Sequence, residues 1–188
     1  VAKKPPSQTS VENVADVKRE YEEVIPNLVQ TLSREVESLV GNVNQLGADV
    51  IEMSIDQSGN IQINSSRPMS LPQGKLNELK NMASQINQFN KAHDNGWSST
   101  FGESKEAYGI KVQQWSEQGK RQAVSQAASK QQDEFVQAVT AGADNTARRR
   151  YEALQEANPD LYTKPYEVMA EEIRRRRLEQ IEQQRRGQ

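Results

Sequence analysis

Cysteine is absent from the 188-residue chain, so no disulfide can form and no thiolate is available as nucleophile or soft metal ligand. Histidine occurs once, as His93. A metal site built on it lacks a second nitrogen or sulfur ligand, and the His93-Asp94 neighbours read as part of a plain loop. Aromatics make up 5% and hydrophobic residues 34% of the chain, which leaves little apolar surface to set against chain entropy. No run of about 18 apolar residues occurs, so the chain does not span a membrane as a helix. Basic and acidic residues nearly cancel, at 24 and 26, for a formal net charge of -2. That balance removes the usual electrostatic case for sequence-independent nucleic-acid binding. Phosphate-cradling glycine loops and nucleophile elbows are missing as motifs, and the Glu-Glu neighbours at 22–23 and 171–172 splay apart on helices. These exclusions point away from an enzyme, and no cofactor or small-molecule substrate is expected.

What is present is helical periodicity. Residues 1–8 hold two lysines and two prolines and read as a flexible arm, and 9–188 reads as a single helical domain. Thr9-Ser10-Val11-Glu12 has the form of a capping box. Val14, Val17, Tyr21, Val24, Leu28, Leu32, Val36, Leu39, Val43 and Leu46 then recur at steps of three and four, with Pro26 expected to kink the helix and Gly47 to stop it. Between Val50 and Asn64 the period changes to two: Ile51, Met53 and Ile55, then Asp56–Gly59, then Ile61 and Ile63, a β-hairpin pattern. The stretch 50–74 therefore reads as a hairpin or loose appendage, ending in a connector with two prolines from which Ser70 begins the next helix.

Leu76, Leu79, Met82, Ile86 and Phe89 mark that helix, and Ala92–Gly96 breaks it. Thr100-Phe-Gly-Glu103 reads as a second capping box, opening a long helix through Tyr108, Val112, Trp115, Ala123, Ala127 and Phe135. Those six are the candidate residues for helix packing or a subunit interface. Thr140–Asn145 loosens the pattern, 147–157 is helical again, and a last helix follows Pro165 with Glu171–Arg175 and Glu172–Arg176 spaced for ion pairs. Arg174, Arg175, Arg176 and Arg177 are the candidate partner-binding residues, although acids interspersed along the same tail favour a mixed-charge helix face. The fold expected is all-α, an elongated bundle of three or more long helices with a small hairpin, completing its burial against copies of itself.

The run WSEQGKRQAVSQAASKQQDEF, from Trp115-Ser116 through Gln131 or Gln132 to Phe135, resembles a segment of the TrbJ-like minor pilins of conjugative type IV secretion systems. There a Trp-Ser pair opens a helix that runs through small residues to a glutamine and a phenylalanine. Ala153-Leu154-Gln155-Glu156-Ala157-Asn158 is similar to the Ala-Leu-Gln-x-x-Asn element of the same family, and Gly74–Phe89 to the helix before its tyrosine- and glycine-containing loop. The likeness covers residues 74–188. His93–Gly96 stands where the family has an aromatic-rich loop, and Pro159 interrupts a helix that usually continues. The resemblance implies a secreted helical bundle with an appendage, set at the pilus tip or stalk. It implies homo-oligomers, contact with an inner-membrane channel component and pilus subunits, and a role in pilus assembly and cell contact. A start at Val1 suits removal of a signal peptide, hence periplasm or cell surface; otherwise virion or cytoplasm. Two other readings stay open at this level: a phage virion or scaffolding component docking through its basic C-terminal helix, and a nucleic-acid adaptor using the arginine clusters.

Overall fold

The computed structural model describes residues 14–43 and 51–188. The arm at 1–8, the Thr9–Glu12 capping box, Leu46 and the Gly47 stop lie outside the described residues. The chain is mostly helical and carries one two-stranded antiparallel sheet. It divides into two compact units, one running to Val124 and the other Ser125–Gln188, and each has its own hydrophobic cluster.

The first unit opens with a helix whose residues 14–19 are α-helical, Glu20–Val24 form a π turn, and Ile25–Val43 are α-helical again (α1). Pro26 explains the π turn: its ring lacks an N–H and would strike the carbonyl of Glu22 in a regular helix. Widening the turn lets the Ile25 N–H bond to Glu20 O instead. The wide turn also inserts a residue into the apolar period, which corrects the expected stripe. Val24 is 41% exposed, and Ile25, Val29, Leu32 and Val36 carry the buried face.

Strands β1 (Glu52–Ile55) and β2 (Ile61–Asn64) pair in the register Glu52↔Asn64 to Ile55↔Ile61. The Asp56 carboxylate closes the turn by accepting from the Ser58 and Asn60 N–H groups, each at 2.9 Å. The hairpin is not loose: Ile51, Ile61 and Ile63 belong to the main cluster, because a lone hairpin gains stability only by covering an apolar face. A short 3-10 turn, Pro68–Ser70, leads to α2 (Gln73–Ala92), which starts from Pro72 rather than from Ser70. Helix α3 (Trp97–Phe101) is a single short turn, and α4 (Lys105–Thr140) follows. The cap of α4 is Ser104, whose Oγ accepts the Ala107 N–H at 3.1 Å. Thr100 lies inside α3 and Glu103 pairs with Lys111 at 2.7 Å, so the expected capping box does not form.

In the second unit, the end of α4 packs with α5 (Asp144–Ala157) and α6 (Tyr166–Arg186) around Phe135, Val139, Tyr151, Leu154 and Tyr166. Gly142, at φ +73°, ends α4 sharply. Its N–H bonds to Val139 O at 3.1 Å and that of Ala143 to Ala138 O at 3.0 Å, the paired bonds of a left-handed helix stop.

Close approach in the first unit depends on small residues spaced three and four apart along α4. Gly109, Val112, Ser116, Gly119 and Ala123 are all buried. Ser116 Oγ meets Ser33 Oγ of α1 at 2.8 Å. A Cβ at Gly119 would lie 2.2 Å from Gln30 O, and one at Gly109 2.1 Å from Gln57 O in the hairpin turn. Gly119→Ala and Gly109→Ala are each expected to cost at least about 1–3 kcal/mol in urea denaturation, since backbone cannot step aside cheaply. Gly74→Ala, with open space around it, is the control and gains about 0.5–1 kcal/mol. An unchanged midpoint for Gly119→Ala contradicts the α1–α4 contact.

Candidate interaction site

The six packing candidates do not share one surface. Tyr108, Val112 and Ala123 are buried in the first unit with Trp115 half-buried beside them, and Phe135 is buried in the second. Ala127 is exposed, as is every residue from Val124 to Asp133. A helical segment that is solvated all round is buried by none of the described residues.

Tyr108 is a structural node. Its hydroxyl donates to Asn90 Oδ1 at 2.7 Å, and Asn90 Nδ2 donates to Gly59 O and Asn60 Oδ1, both at 3.0 Å. One turn earlier on α2, the Asn87 side chain accepts the Ile61 N–H and donates to the Ile61 C=O, each at 2.7 Å. That amide mimics the next strand for β2. Around the node, Tyr21 stacks on Phe101 at 4.4 Å between centroids, and Trp97 lies 4.5 Å from both Phe101 and Tyr108. His93 joins this packing through Phe89 at 4.8 Å. The two asparagines were missed in the sequence, but a signal existed: Leu76, Leu79, Ala83, Ile86 and Asn90 continue one buried three-and-four spacing, so Asn90 is a polar residue at a core position.

In the second unit, charge is concentrated at one end of α5. Arg148 pairs with Glu167 at 2.9 Å and with Asp144 at 3.5 Å, and its guanidinium lies 4.4 Å above the Tyr166 ring. Tyr166 Oη donates to Asp144 Oδ1 at 2.5 Å, which holds the Asp144 carboxyl below its usual range, with Arg148 adding to the effect. Arg150 pairs with Glu134 at 2.5 Å. Glu172 pairs with Lys164 at 2.8 Å rather than with Arg176. Arg174, Arg175, Arg176 and Arg177 are all exposed and make no ion pair among the described residues. Leu178 on the same helix is 65% exposed and Ile181 39%.

An open cleft of about 560 Å³ beside β1 and α4 is lined by Met53, Ile55 and Ile110 and by Gln114, Glu117 and Arg121. Its one carboxylate has no neighbouring histidine or second acid in the lining with which to share a proton. Among the described residues no group of three or more His, Asp or Glu side chains is placed to hold a metal, and no helix is long and apolar enough to cross a membrane. No family model, curated protein or solved structure matches the chain.

The node makes two expectations. Tyr108→Phe leaves Asn90 Oδ1 buried without its donor and is expected to cost about 1–3 kcal/mol by denaturant unfolding. Burial, and then the charge of Glu103, push the Tyr108 phenol well above the ordinary tyrosine value of 10.0, while the bond to Asn90 acts the other way. A raised folded value means that the stabilisation is complete below pH 10 and is lost as pH climbs further, because only the unfolded chain then sheds the proton. Stability measured from pH 8 to 12 is therefore expected to fall above about pH 10, with a shallower slope in Tyr108→Phe.

Proposed function

We propose that this chain is a non-enzymatic structural subunit of a bacterial conjugation or type IV secretion apparatus, of the minor-pilin kind, working in pilus assembly and cell contact as part of an elongated helical bundle. One observation carries the reading as an assembling subunit: the outer half of α6 presents Leu178, Ile181 and four consecutive arginines, without an ion pair among the described residues, to solvent. A helix that exposes apolar side chains between cations is built to be covered. Three residues of the resemblance fall at packing positions, Ser116 against Ser33 in the first unit and Phe135 and Leu154 in the second cluster, while Gln131, Gln132, Ala153 and Asn158 are exposed. In this reading the partners are copies of the chain, an inner-membrane channel component and pilus subunits, met in the periplasm or at the cell surface.

The same arginines support a second reading, a virion or scaffolding component whose basic C-terminal helix docks on a coat or portal protein. Recovery with capsids in place of cell-envelope fractions separates the two. A nucleic-acid adaptor is the weaker use of these cations, since Glu179 and Glu182 lie among them.

The decisive experiment deletes the gene and complements it with full-length chain or with chain ending at Ile173. Loss of conjugative transfer on deletion, with tagged full-length chain in the envelope fraction beside the channel component, is the expected result. Transfer at parental frequency without the gene refutes the pilin reading. The cut at Ile173 keeps Tyr166 and Ala170, both in the second cluster, so the unit keeps its core while losing the exposed helix end. It is expected to retain parental helicity by circular dichroism and to fail to complement.

A further inference from the structure

We propose that the outer half of α6 docks onto the outer face of α5 in a second copy of this chain, head to tail. The inference rests on the reading of the chain as an assembling subunit and names the surface through which it assembles. Between Arg174 and Arg186 there are six arginines and two glutamates. They are not evenly mixed around the helix. Arg174, Leu178, Ile181 and Arg185 follow one another at steps of four, three and four, and so form one stripe with Arg177 on its flank. Glu179 lies away from the stripe, and Glu182, one turn after Leu178, borders it on the side opposite Arg177. The Leu178–Ile181 stripe thus carries an arginine at each end and one along a flank, against a single glutamate on the other flank.

The chain carries the inverse of this pattern on α5. Glu152 and Glu156 are one turn apart, both exposed, and neither makes an ion pair among the described residues. Like charges at that spacing repel, so the helix holds them at a small cost that an incoming cation removes. Asp160 follows just beyond the helix end, also exposed. Beside these acids run Ala153 and Ala157, with Leu161 72% exposed after them. Arg148 and Arg149 sit one turn before these residues, and Arg148 is paired with Asp144 and Glu167. Small apolar residues flanked by three carboxylates fit large apolar residues flanked by three guanidiniums, in sign and in order. Within one copy these two surfaces make no ion pair with each other among the described residues. Because donor and acceptor surfaces differ, the contact is heterologous and closes into a ring or continues as a filament.

The test is self-association of the full chain by analytical ultracentrifugation, for the parent, for a tail variant (Arg177→Glu with Arg185→Glu) and for a face variant (Glu152→Arg with Glu156→Arg). All four positions are exposed, and circular dichroism checks that each variant keeps its helices. Each variant alone is expected to associate about tenfold or more weakly, and their equimolar mixture to regain association, since each then meets an opposite charge. Raising the salt is expected to weaken the parent. Parental association in both variants overturns the inference, as does loss in the tail variant only or a mixture that stays dissociated. A parent that is monomeric alone but recovered with the envelope machinery also overturns it while leaving the proposed function standing. A chain that neither self-associates nor affects transfer removes both.

Discussion

The first unit depends on a buried polar bond, Tyr108 Oη to Asn90 Oδ1, more than on any single apolar contact. Three elements meet there: α4 brings the tyrosine, α2 the asparagine, and the hairpin turn the acceptors Gly59 O and Asn60 Oδ1. A buried amide left unpaired costs more than its bond returns, so any arrangement in which one element slips is penalised at the other two. Asn87 adds register, because its paired bonds to Ile61 are made only when β2 lies at one height along α2. A two-stranded sheet that would be marginal alone is held in this way by side chains of a helix. The apolar cluster supplies most of the driving force, and the asparagines decide which packing it drives toward.

That division explains what was readable in the residues. Apolar period reports which face is buried, so the helices through Leu76–Phe89 and Tyr108–Phe135 and the alternating Ile51–Ile63 hairpin were legible, and the mostly helical class followed. Phase was less legible. Pro26 was recognised as a disturbance, but a π turn and a simple kink are alike in sequence, and only the π turn moves burial from Val24 to Ile25. Caps were ambiguous for a similar reason: Thr100 and Ser104 both precede a helical run, and the closing of α3 into a turn of its own selected Ser104. The close approach within the first unit was not legible, because the residues that allow it, Gly109, Ser116 and Gly119, are hidden among larger neighbours.

The second unit follows another logic. Its cluster is small, and much of its definition comes from polar bonds at the start of α5, where Tyr166, Asp144, Arg148 and Glu167 form a connected set. Solvent screening limits what each of these exposed pairs contributes. Their effect is directional: they set where α6 begins against α5, with the Tyr151 hydroxyl donating to Lys164 O as a second pin. The candidate partner-binding arginines were legible as a charge run, but their state was not. Four-residue spacing made Glu172 a partner for Arg176, and the fold gives it to Lys164 across the loop. An i,i+4 pair on a solvated helix is worth only about 0.2–0.5 kcal/mol, so a tertiary partner displaces it easily.

That displacement bears on function. A cation paired on its own helix has a neighbour before any partner arrives, and binding must first give that contact up. With Glu172 held by Lys164, Arg174 to Arg177 make no ion pair among the described residues, next to Leu178 and Ile181. The cost of docking then reduces to ordering long side chains and removing water, which opposite charges and apolar cover on another surface can offset. A surface contact at the start of α6 thus influences the helix beyond it: Lys164, by pairing with Glu172, leaves Arg176 without an ion pair among the described residues, on the same helix as the exposed Leu178 and Ile181.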